Sequence, residues 1–399
     1  MCFYLVFTYY ILTFPGTTCD LCLINMDQSS TAPVGLCPDM CPRKERQERE
    51  RQGLLHHFET TDGQRARRGR RGKASMCADP AKTVKEYSRP AAGKELSSPY
   101  DIRPPAVLLK TVRYLLMKVW DSVNEMDSVN LSEAYCFVFD RLRAVRQDMT
   151  VQRVRGQLGA VVLEESLGFL LCAPYLVRHL PVESYDEVLH ATQVRESFAE
   201  LMECYKEDVR HPREAEFQAL LLLYDLGNLD TMNRALKLHH RIGDAPQVRL
   251  AMDVNRAYLE CNWVRLFRLL HRLDCLQSCA FYRHLTTCRD KNLRMLIHAY
   301  SSKNCRFPLD LLARLMAVDS QETVAEMCRR RGLSLAPGGQ LAVVFLKSSF
   351  KDVVPEIHGR EILLVERKKR EQTWAGVMMG EEETMPLAHS PEELQHEWH

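Results

Sequence analysis

The sequence lacks several features that would assign it to a class at once. Its formal net charge is only +2 over 399 residues, from 54 Lys and Arg against 52 Asp and Glu. A nearly neutral chain is not a polycationic nucleic-acid binder as a whole, so its charge must be judged segment by segment. No Ser lies in a nucleophile elbow, no Cys carries a local catalytic signature, and the 14 His are dispersed. We therefore expect no enzyme, no cofactor and no small-molecule substrate.

The cysteines form no disulfide framework. There are 15 of them, an odd number, and several lie inside apolar helical patterns, such as Cys136 and Cys172. Cysteines distributed in this way are typical of a reducing compartment, cytosol or nucleus.

The first 25 residues lack the features of a targeting segment. No Lys or Arg precedes Arg43, whereas a signal peptide needs a basic start. The apolar run also stops at Pro15, short of the roughly 20 residues of a membrane span. We interpret residues 1–25 as a non-essential leader with Met26 as the functional start, and a weak secretory signal is the alternative. No later run is expected to cross a bilayer, so no membrane contact is predicted.

Residues 26–98 are polar and basic. They predict a largely extended region with one helix at about residues 42–58, because Pro suits the first helical turn. Residues 65–73 contain six basic side chains and no acid. Three interpretations stay open: a solvated linker, a nuclear-import signal, or a contact with a phosphate backbone. The six side chains are Arg65, Arg67, Arg68, Arg70, Arg71 and Lys73.

Helical periodicity starts after residue 105. Apolar side chains recur at helical spacing, and Pro or Gly marks the short breaks. Residues 99–305 therefore predict an all-α domain of paired helices, a degenerate helical-repeat solenoid that is tetratricopeptide-like but has no strict repeat. After two apolar stripes at residues 108–119 and 131–145, the predicted helices cover residues 151–172, 186–206, 213–226, 229–240, 246–260, 263–273, 276–286 and 290–302.

Residues 306–370 predict a winged-helix module. Two short helices at 309–317 and 321–331 precede a hairpin of strands 333–335 and 341–347, and residues 361–365 predict a last strand. The remaining 371–399 carry seven acids and no Lys or Arg. That composition predicts an acidic, disordered tail.

Four blocks in this order resemble the Sac-three/GANP family. They are residues 37–46 (CPDMCPRKER), 84–94 (VKEYSRPAAGK), 103–114 (RPPAVLLKTVRY) and 139–152 (FDRLRAVRQDMTVQ). The resemblance extends over roughly residues 36–350 and implies a PCI-like helical repeat that ends in a winged helix. It also implies a non-catalytic scaffold with PCI-type or centrosomal protein partners.

The resemblance leaves two roles open. The short members of the family are associated with centrosome duplication and the mitotic spindle, which implies a location in cytoplasm, centrosome and spindle. The large members serve mRNA export with a PCI partner in the nucleus, so a nuclear RNA-binding adaptor is the alternative.

Seven residues of the motifs are expected to be structural. A zinc site from Cys37 and Cys41 with His56 and His57 is not predicted, since no second Cys pair completes the set. The arginines are expected to clamp carboxylates of a neighbouring helix, with a direct partner contact as the alternative. The seven are Cys37, Cys41, Arg141, Arg143, Arg146, Gln147 and Asp148.

The predicted winged helix ends in a basic triplet. Arg329, Arg330 and Arg331 fan over a helical turn, so at most one can face the core, and Lys347 follows on the hairpin. This basic end suits a protein partner or phosphates better than base readout, because Glu322 and Glu326 occupy the half that would read bases. Weak, non-specific nucleic-acid binding is expected at most.

Overall fold

The computed structural model describes residues 32–61, 77–89, 98–123, 128–181, 184–207, 210–336, 341–352 and 359–380. Residues 1–25 and 65–73 lie outside these ranges. The protein is mostly α-helical, as the periodicity predicts. In the described residues the α-helices are α1 (Arg43–Gln52), α2 (Pro105–Tyr114), α3 (Ser128–Gln152), α4 (Gly156–Leu176), α5 (Glu187–Cys204), α6 (Glu214–Tyr224), α7 (Leu229–Leu236), α8 (His240–Gly243), α9 (Pro246–Leu259), α10 (Trp263–Leu270), α11 (Cys275–Tyr300), α12 (Leu309–Leu315), α13 (Gln321–Arg330), α14 (Arg367–Lys369) and α15 (Trp374–Met379), and the strands are β1 (Phe307–Pro308), β2 (Ser334–Ala336) and β3 (Ala342–Val344).

Side-chain caps fix the starts of several helices. At α11 the Asp274 carboxylate accepts from the Gln277 N–H at 2.8 Å, and the Gln277 side chain accepts from the Asp274 N–H at 3.2 Å. Such a reciprocal pair satisfies two backbone donors that the helix itself leaves open. Asn228 and Asn262 cap α7 and α10 through their side-chain oxygens.

Several predicted helix boundaries are wrong, and three of these errors have a clear local cause. The break between residues 286 and 290 is absent, because residues 287–289 contain neither Pro nor Gly and α11 continues to Tyr300. The helix predicted from residue 151 begins at Gly156, since positive φ angles at Arg153 (52°) and Gly156 (74°) separate it from α3. The first helix ends at Gln52 rather than near residue 58, because Gly53 caps it with φ 69°.

Helix α4 is the centre of the larger hydrophobic core. It is apolar around nearly its whole circumference and packs against α2, α5, α11 and α15. By length and composition alone it could cross a membrane, and most of it is buried inside the protein. The expectation that no run is long and apolar enough is therefore wrong for Gly156–Leu176, whose composition is that of a fully buried core helix.

The other helices of residues 99–305 stack on their neighbours. Helix α6 packs on α9 and α11, and α9 packs on α10. The connections between them are short, and Gly227 adopts a φ of 78° in the turn between α6 and α7.

A second, smaller core lies around the three-stranded sheet. Apolar side chains from the last turns of α11, and from α12 and α13, pack around Val343 and Phe345. Strand β3 pairs antiparallel with β1 and β2, so Phe307 and Leu335 both lie opposite Val343. The predicted order of helix, helix and hairpin is present, and β1 is an additional strand that the sequence did not indicate.

The C-terminal strap, residues 359–380, corrects two further predictions. Residues 361–365 are not a strand, because Ile362–Glu366 is a π-helical turn whose N–H groups at Ile362 and Leu363 donate to Asp319 at 2.7 and 2.9 Å. Residues 371–380 are not part of a disordered tail, since α15 is buried against α4. The acidic average over residues 371–399 hid a six-residue apolar segment.

Gly168 offers a test of the strap. A methyl group at Gly168 would collide with the Met378 carbonyl oxygen, because the backbone of α15 lies directly on α4 there. We expect Gly168→Ala to lower the free energy of unfolding by about 1–3 kcal/mol, the usual effect of over-packing, measured by urea denaturation. Gly376→Ala is the matched control, since its nearest neighbour is the Thr373 hydroxyl at 3.6 Å. Equal stability of the two variants would contradict this position of α15.

Candidate functional site: the N-terminal clamp and the basic face

Most of the motif residues meet where the N-terminal region crosses α3. We call residues 35–60 and 77–89 the N-terminal clamp. Its two segments are joined by the Lys85 N–H, which donates to the Met40 carbonyl at 3.0 Å, and the Leu36 N–H donates to the Pro99 carbonyl at 2.8 Å. The clamp is thus an ordered layer, although α1 is its longest regular element.

Asp148 is the central acceptor beneath the clamp. Its carboxylate accepts from Lys85 Nζ at 2.7 Å and from Arg103 Nε at 2.7 Å, and only 2% of its side chain is exposed. Arg103 is fully buried and also donates to the Met40 carbonyl at 3.3 Å. One carboxylate therefore joins the clamp, the start of α2 and α3, and its burial is tolerated because both cations face it.

Glu59 is the second buried acceptor. It has no exposed surface and accepts from Arg49 and from Arg141, the latter at 3.3 Å. Arg141 also donates to Asp140 at 2.6 Å and to Glu86 at 3.0 Å. Burial lowers the pKa of Arg141, but the three carboxylates outweigh burial, so its pKa is raised and the guanidinium stays charged.

The two motif cysteines pack inside the clamp. Both are buried, and their thiols donate to carbonyls one or two residues further along, at 3.7 Å for Cys41 and 3.2 Å for Cys37. Burial raises the pKa of both thiols. Among the described residues neither thiol joins a group of three metal-ligating side chains, whereas His56 and His57 group with Glu133.

The other motif residues extend along α3 to α5. The Gln147 side-chain amide donates to the Ser88 carbonyl at 2.8 Å. Arg146 pairs with Glu196 and, at 3.2 Å, with Glu200, both on α5. Burial raises the pKa of Glu200 even though Arg146 lies beside it. Arg146 thus clamps a neighbouring helix in the way the sequence analysis predicts.

The basic triplet of α13 is split by the fold. Arg331 is buried, pairs with Asp290 and donates to the Lys351 carbonyl at 3.4 Å. Arg329 and Arg330 are exposed, but both pair with Glu326, at 3.0 and 3.2 Å. Those two hydrogen bonds lower the pKa of the Glu326 carboxyl.

The remaining basic candidates do not complete one surface among the described residues. Lys347 is exposed in the turn after β3, and its N–H donates to the Ser301 hydroxyl at 3.2 Å. The run 65–73 lies outside the described residues.

Sequence reasoning missed the partners of the motif residues. Lys85 and Arg103 lie 63 and 45 residues from Asp148 along the chain, and Glu59 lies 82 residues from Arg141. Spacing within one helix cannot identify partners at such separations. The hint in the sequence was the charge density of residues 139–152, which contain five charged side chains.

Asp148→Asn tests the clamp. The change leaves Arg103 buried without a counter-charge, so we expect the free energy of unfolding to fall by about 3–5 kcal/mol, measured by urea denaturation. Asp253→Asn is the control, because Asp253 pairs with Arg256 and Arg265 at the surface and such pairs contribute about 0–1 kcal/mol. A loss below about 1 kcal/mol in Asp148→Asn would show that the buried pair does not hold the clamp.

Arg146→Glu tests the link between α3 and α5. A third carboxylate beside Glu196 and Glu200 replaces two attractions by repulsion, so we expect a loss of about 1–2 kcal/mol in thermal or urea unfolding. Lys110→Glu, an exposed change on α2, serves as the control. If both variants unfold alike, Arg146 has no architectural role.

The chain is similar to several known proteins. SAC3 family protein 1 of Schizosaccharomyces pombe is 29% identical over 387 residues, 89% of this chain and 36% of that protein. Protein xmas of Drosophila melanogaster is 29% identical over 327 residues, 79% of this chain and 15% of that protein. SAC3 family protein B of Arabidopsis thaliana is 28% identical over 328 residues, 78% of this chain and 18% of that protein. The chain thus spans between 15% and 36% of the length of these relatives.

The sequence model of the SAC3/GANP family matches residues 40–337. The match begins inside the clamp, covers the helical domain and ends just after β2. Since it covers well over half of the chain, the protein belongs to the SAC3/GANP family.

Proposed function

We propose that this chain is a non-catalytic protein-interaction scaffold that acts in centrosome duplication and in progression of the mitotic spindle. Its place would be the cytoplasm, the centrosome and the spindle. Family membership supports a scaffold of the Sac-three type.

We also infer that the helical domain is a PCI-like repeat that ends in a winged helix. Helices α12 and α13 precede the β2–β3 hairpin, and β1 completes a sheet of order β1–β3–β2. That arrangement is the one a winged helix requires. In such modules the helical face and the hairpin are surfaces for other proteins or for nucleic acid.

The polar groups of the described core support a non-catalytic role. His190 bonds to the Tyr135 hydroxyl at 2.9 Å and to the Leu170 carbonyl at 2.8 Å, and burial lowers its pKa to about 4. His284 bonds to the Tyr224 carbonyl at 2.8 Å, and burial again lowers its pKa to about 4. Both imidazoles are neutral hydrogen-bonding groups of the core at physiological pH.

We favour a protein partner over a nucleic acid because Glu326 pairs with both exposed arginines of α13. The exposed side of α13 carries two acidic residues, Glu322 and Glu326, and two basic residues, Arg329 and Arg330. A surface without net positive charge gains little from counterion release on binding a nucleic acid. The binding of a protein partner does not depend on counterion release.

An mRNA-export adaptor is the second candidate. Lys347 and Lys351 are exposed beside the hairpin, and they favour phosphate contact. With the run 65–73 they supply the basic charge that an RNA-binding platform would use.

Affinity purification of the tagged chain from mitotic and interphase cells separates the two roles. The scaffold role predicts centrosomal and spindle proteins in the mitotic sample and localisation of the chain at the spindle. Recovery of nuclear export factors with poly-adenylated RNA, and no spindle proteins, would replace the proposal by the second candidate.

A salt series measures the strength of nucleic-acid binding. We expect weak, sequence-independent binding of a random oligonucleotide that fades near physiological salt, with about 0.9 log units of affinity lost per log unit of salt for each duplex phosphate contacted. Arg329 and Arg330 should be replaced by Ala together, while Arg331 is kept, because Arg331 is buried and its loss would unfold the module. Tight, salt-resistant binding that this double variant abolishes would contradict the scaffold role.

A further inference from the structure

Two histidines of the clamp and one glutamate of α3 converge at the edge of the clamp. One ring nitrogen of His56, one of His57 and one carboxylate oxygen of Glu133 all lie within 4.8 Å of one another. Each of the three side chains is partly exposed, so a small solute can reach them. Within the parts of the chain that the structure describes, no other set of three His, Cys, Asp or Glu side chains converges in this way.

The spacing of the two best-placed ligand atoms is close to that in a metal site. His57 Nδ1 lies 3.7 Å from Glu133 Oε2, which is longer than a hydrogen bond. Two ligands of one tetrahedral zinc ion, each bound at about 2.0–2.1 Å, lie about 3.4 Å apart. Rotations of these partly exposed side chains would therefore bring the three ligand atoms to coordination distance.

The clamp holds the histidine pair in place. The His56 N–H donates to Glu59 Oε2 at 3.1 Å, and Glu59 is the buried acceptor of two arginines. The His56 ring centroid lies 4.9 Å from that of Phe137 on α3, and Phe58 meets the same ring edge-on at 5.4 Å. Ligands on an anchored backbone beside an apolar wall are already organised for a metal, because little must be ordered when the ion binds.

Two local interactions oppose an ion only weakly. The Phe58 N–H donates to His56 Nδ1 at 3.4 Å. Coordination through either ring nitrogen would break this long hydrogen bond, since a neutral imidazole that binds a metal through one nitrogen carries its proton on the other. Arg141 lies over the Phe137 ring, 4.5 Å from its centroid, but three carboxylates pair with Arg141 and compensate its charge.

The donor set selects the metal. Two imidazoles and one carboxylate suit zinc, whereas Ca²⁺ and Mg²⁺ take oxygen ligands. Cu²⁺ and Ni²⁺ favour square-planar or tetragonal sets of nitrogen and oxygen ligands. Three protein ligands leave one position of a tetrahedral zinc ion for water.

We propose that His56, His57 and Glu133 bind one Zn²⁺ ion, with water as the fourth ligand. The ion would join the clamp to α3 and add a metal link to the buried ion pairs at Asp148 and Glu59. This site goes beyond the proposed function and does not depend on it. Spacing in the sequence did not indicate it, because the third ligand lies on α3, far along the chain from the two histidines.

Metal binding to the full chain tests the site. The purified chain is freed of metal with EDTA, and Zn²⁺ is then titrated in competition with a chromogenic chelator. We expect one equivalent of Zn²⁺ per chain, and Zn²⁺ should raise the melting temperature, because a ligand that binds only the folded state stabilises it. Co²⁺ in place of Zn²⁺ should give the intense d–d absorption of a four- or five-coordinate site without a thiolate-to-cobalt charge-transfer band.

Variants locate the ion. Glu133→Gln and His57→Asn each remove one ligand, and we expect either to weaken Zn²⁺ binding by more than about 100-fold, since even changes outside the ligand set cost about 10–100-fold. Either change should also abolish the rise in melting temperature. His240→Asn is the control, because His239 and His240 are also adjacent, with ring centroids 4.0 Å apart, and join no group of three ligands among the described residues.

The wild-type Co²⁺ spectrum decides the question even if a variant does not fold. A thiolate charge-transfer band would place the metal on cysteines and overturn the site. So would failure of the wild type to bind one equivalent of Zn²⁺, unchanged binding in Glu133→Gln, or an equal loss in His240→Asn.

Discussion

The buried carboxylate of Asp148 decides how the N-terminal half of the chain is organised. Lys85 and Arg103 approach it from the clamp and from the start of α2, and neither cation could be buried without it. Since removing any one partner leaves an uncompensated charge in a poorly solvated site, the three segments are bound together as a unit. Glu59 repeats this arrangement with Arg49 and Arg141. The clamp is therefore part of the helical domain rather than an appendage, and the family match begins within it.

Helix α4 depends on the C-terminal strap in a similar way. A helix that is apolar around nearly its whole circumference needs cover on every side, and α2, α5 and α11 leave one side to be closed by α15 from the strap. The strap is held in turn by Glu361, which pairs with Arg289 at 2.6 Å, and by Tyr175, whose hydroxyl donates to Glu366 at 2.6 Å. Arg289 also donates to the Met316 carbonyl at 3.1 Å, so the smaller core and the strap share one residue of α11. The absence of a polar face on Gly156–Leu176 is thus a consequence of the strap.

Periodicity was sufficient to predict the helical class and most of the helices between residues 186 and 270, because α7, α9 and α10 each bury one stripe. Helical spacing allowed at most one inward-facing arginine in the basic triplet, and the residue that faces inward is Arg331. It could not predict α15, since six apolar residues are too few to show a helical period within an acidic segment. Nor could it identify Glu59 or Arg103 as partners of α3, because long-range ion pairs leave no pattern in spacing. The boundary errors at residues 153 and 287 are local, and they follow from positive φ angles and from the absence of a helix breaker.

The arginines show why the number of charges along the sequence is a poor guide to the electrostatic potential of the protein surface. Arg331 is buried on Asp290, Arg329 and Arg330 are neutralised by one glutamate, and Arg146 is held between two glutamates of α5. Each of these residues counts as basic in the sequence, yet together they add little positive potential to the protein surface. Arg143 differs because its partner is an aromatic ring, which orients the guanidinium without cancelling its charge. The pairing of the arginines, rather than their number, therefore determines the positive potential of this surface.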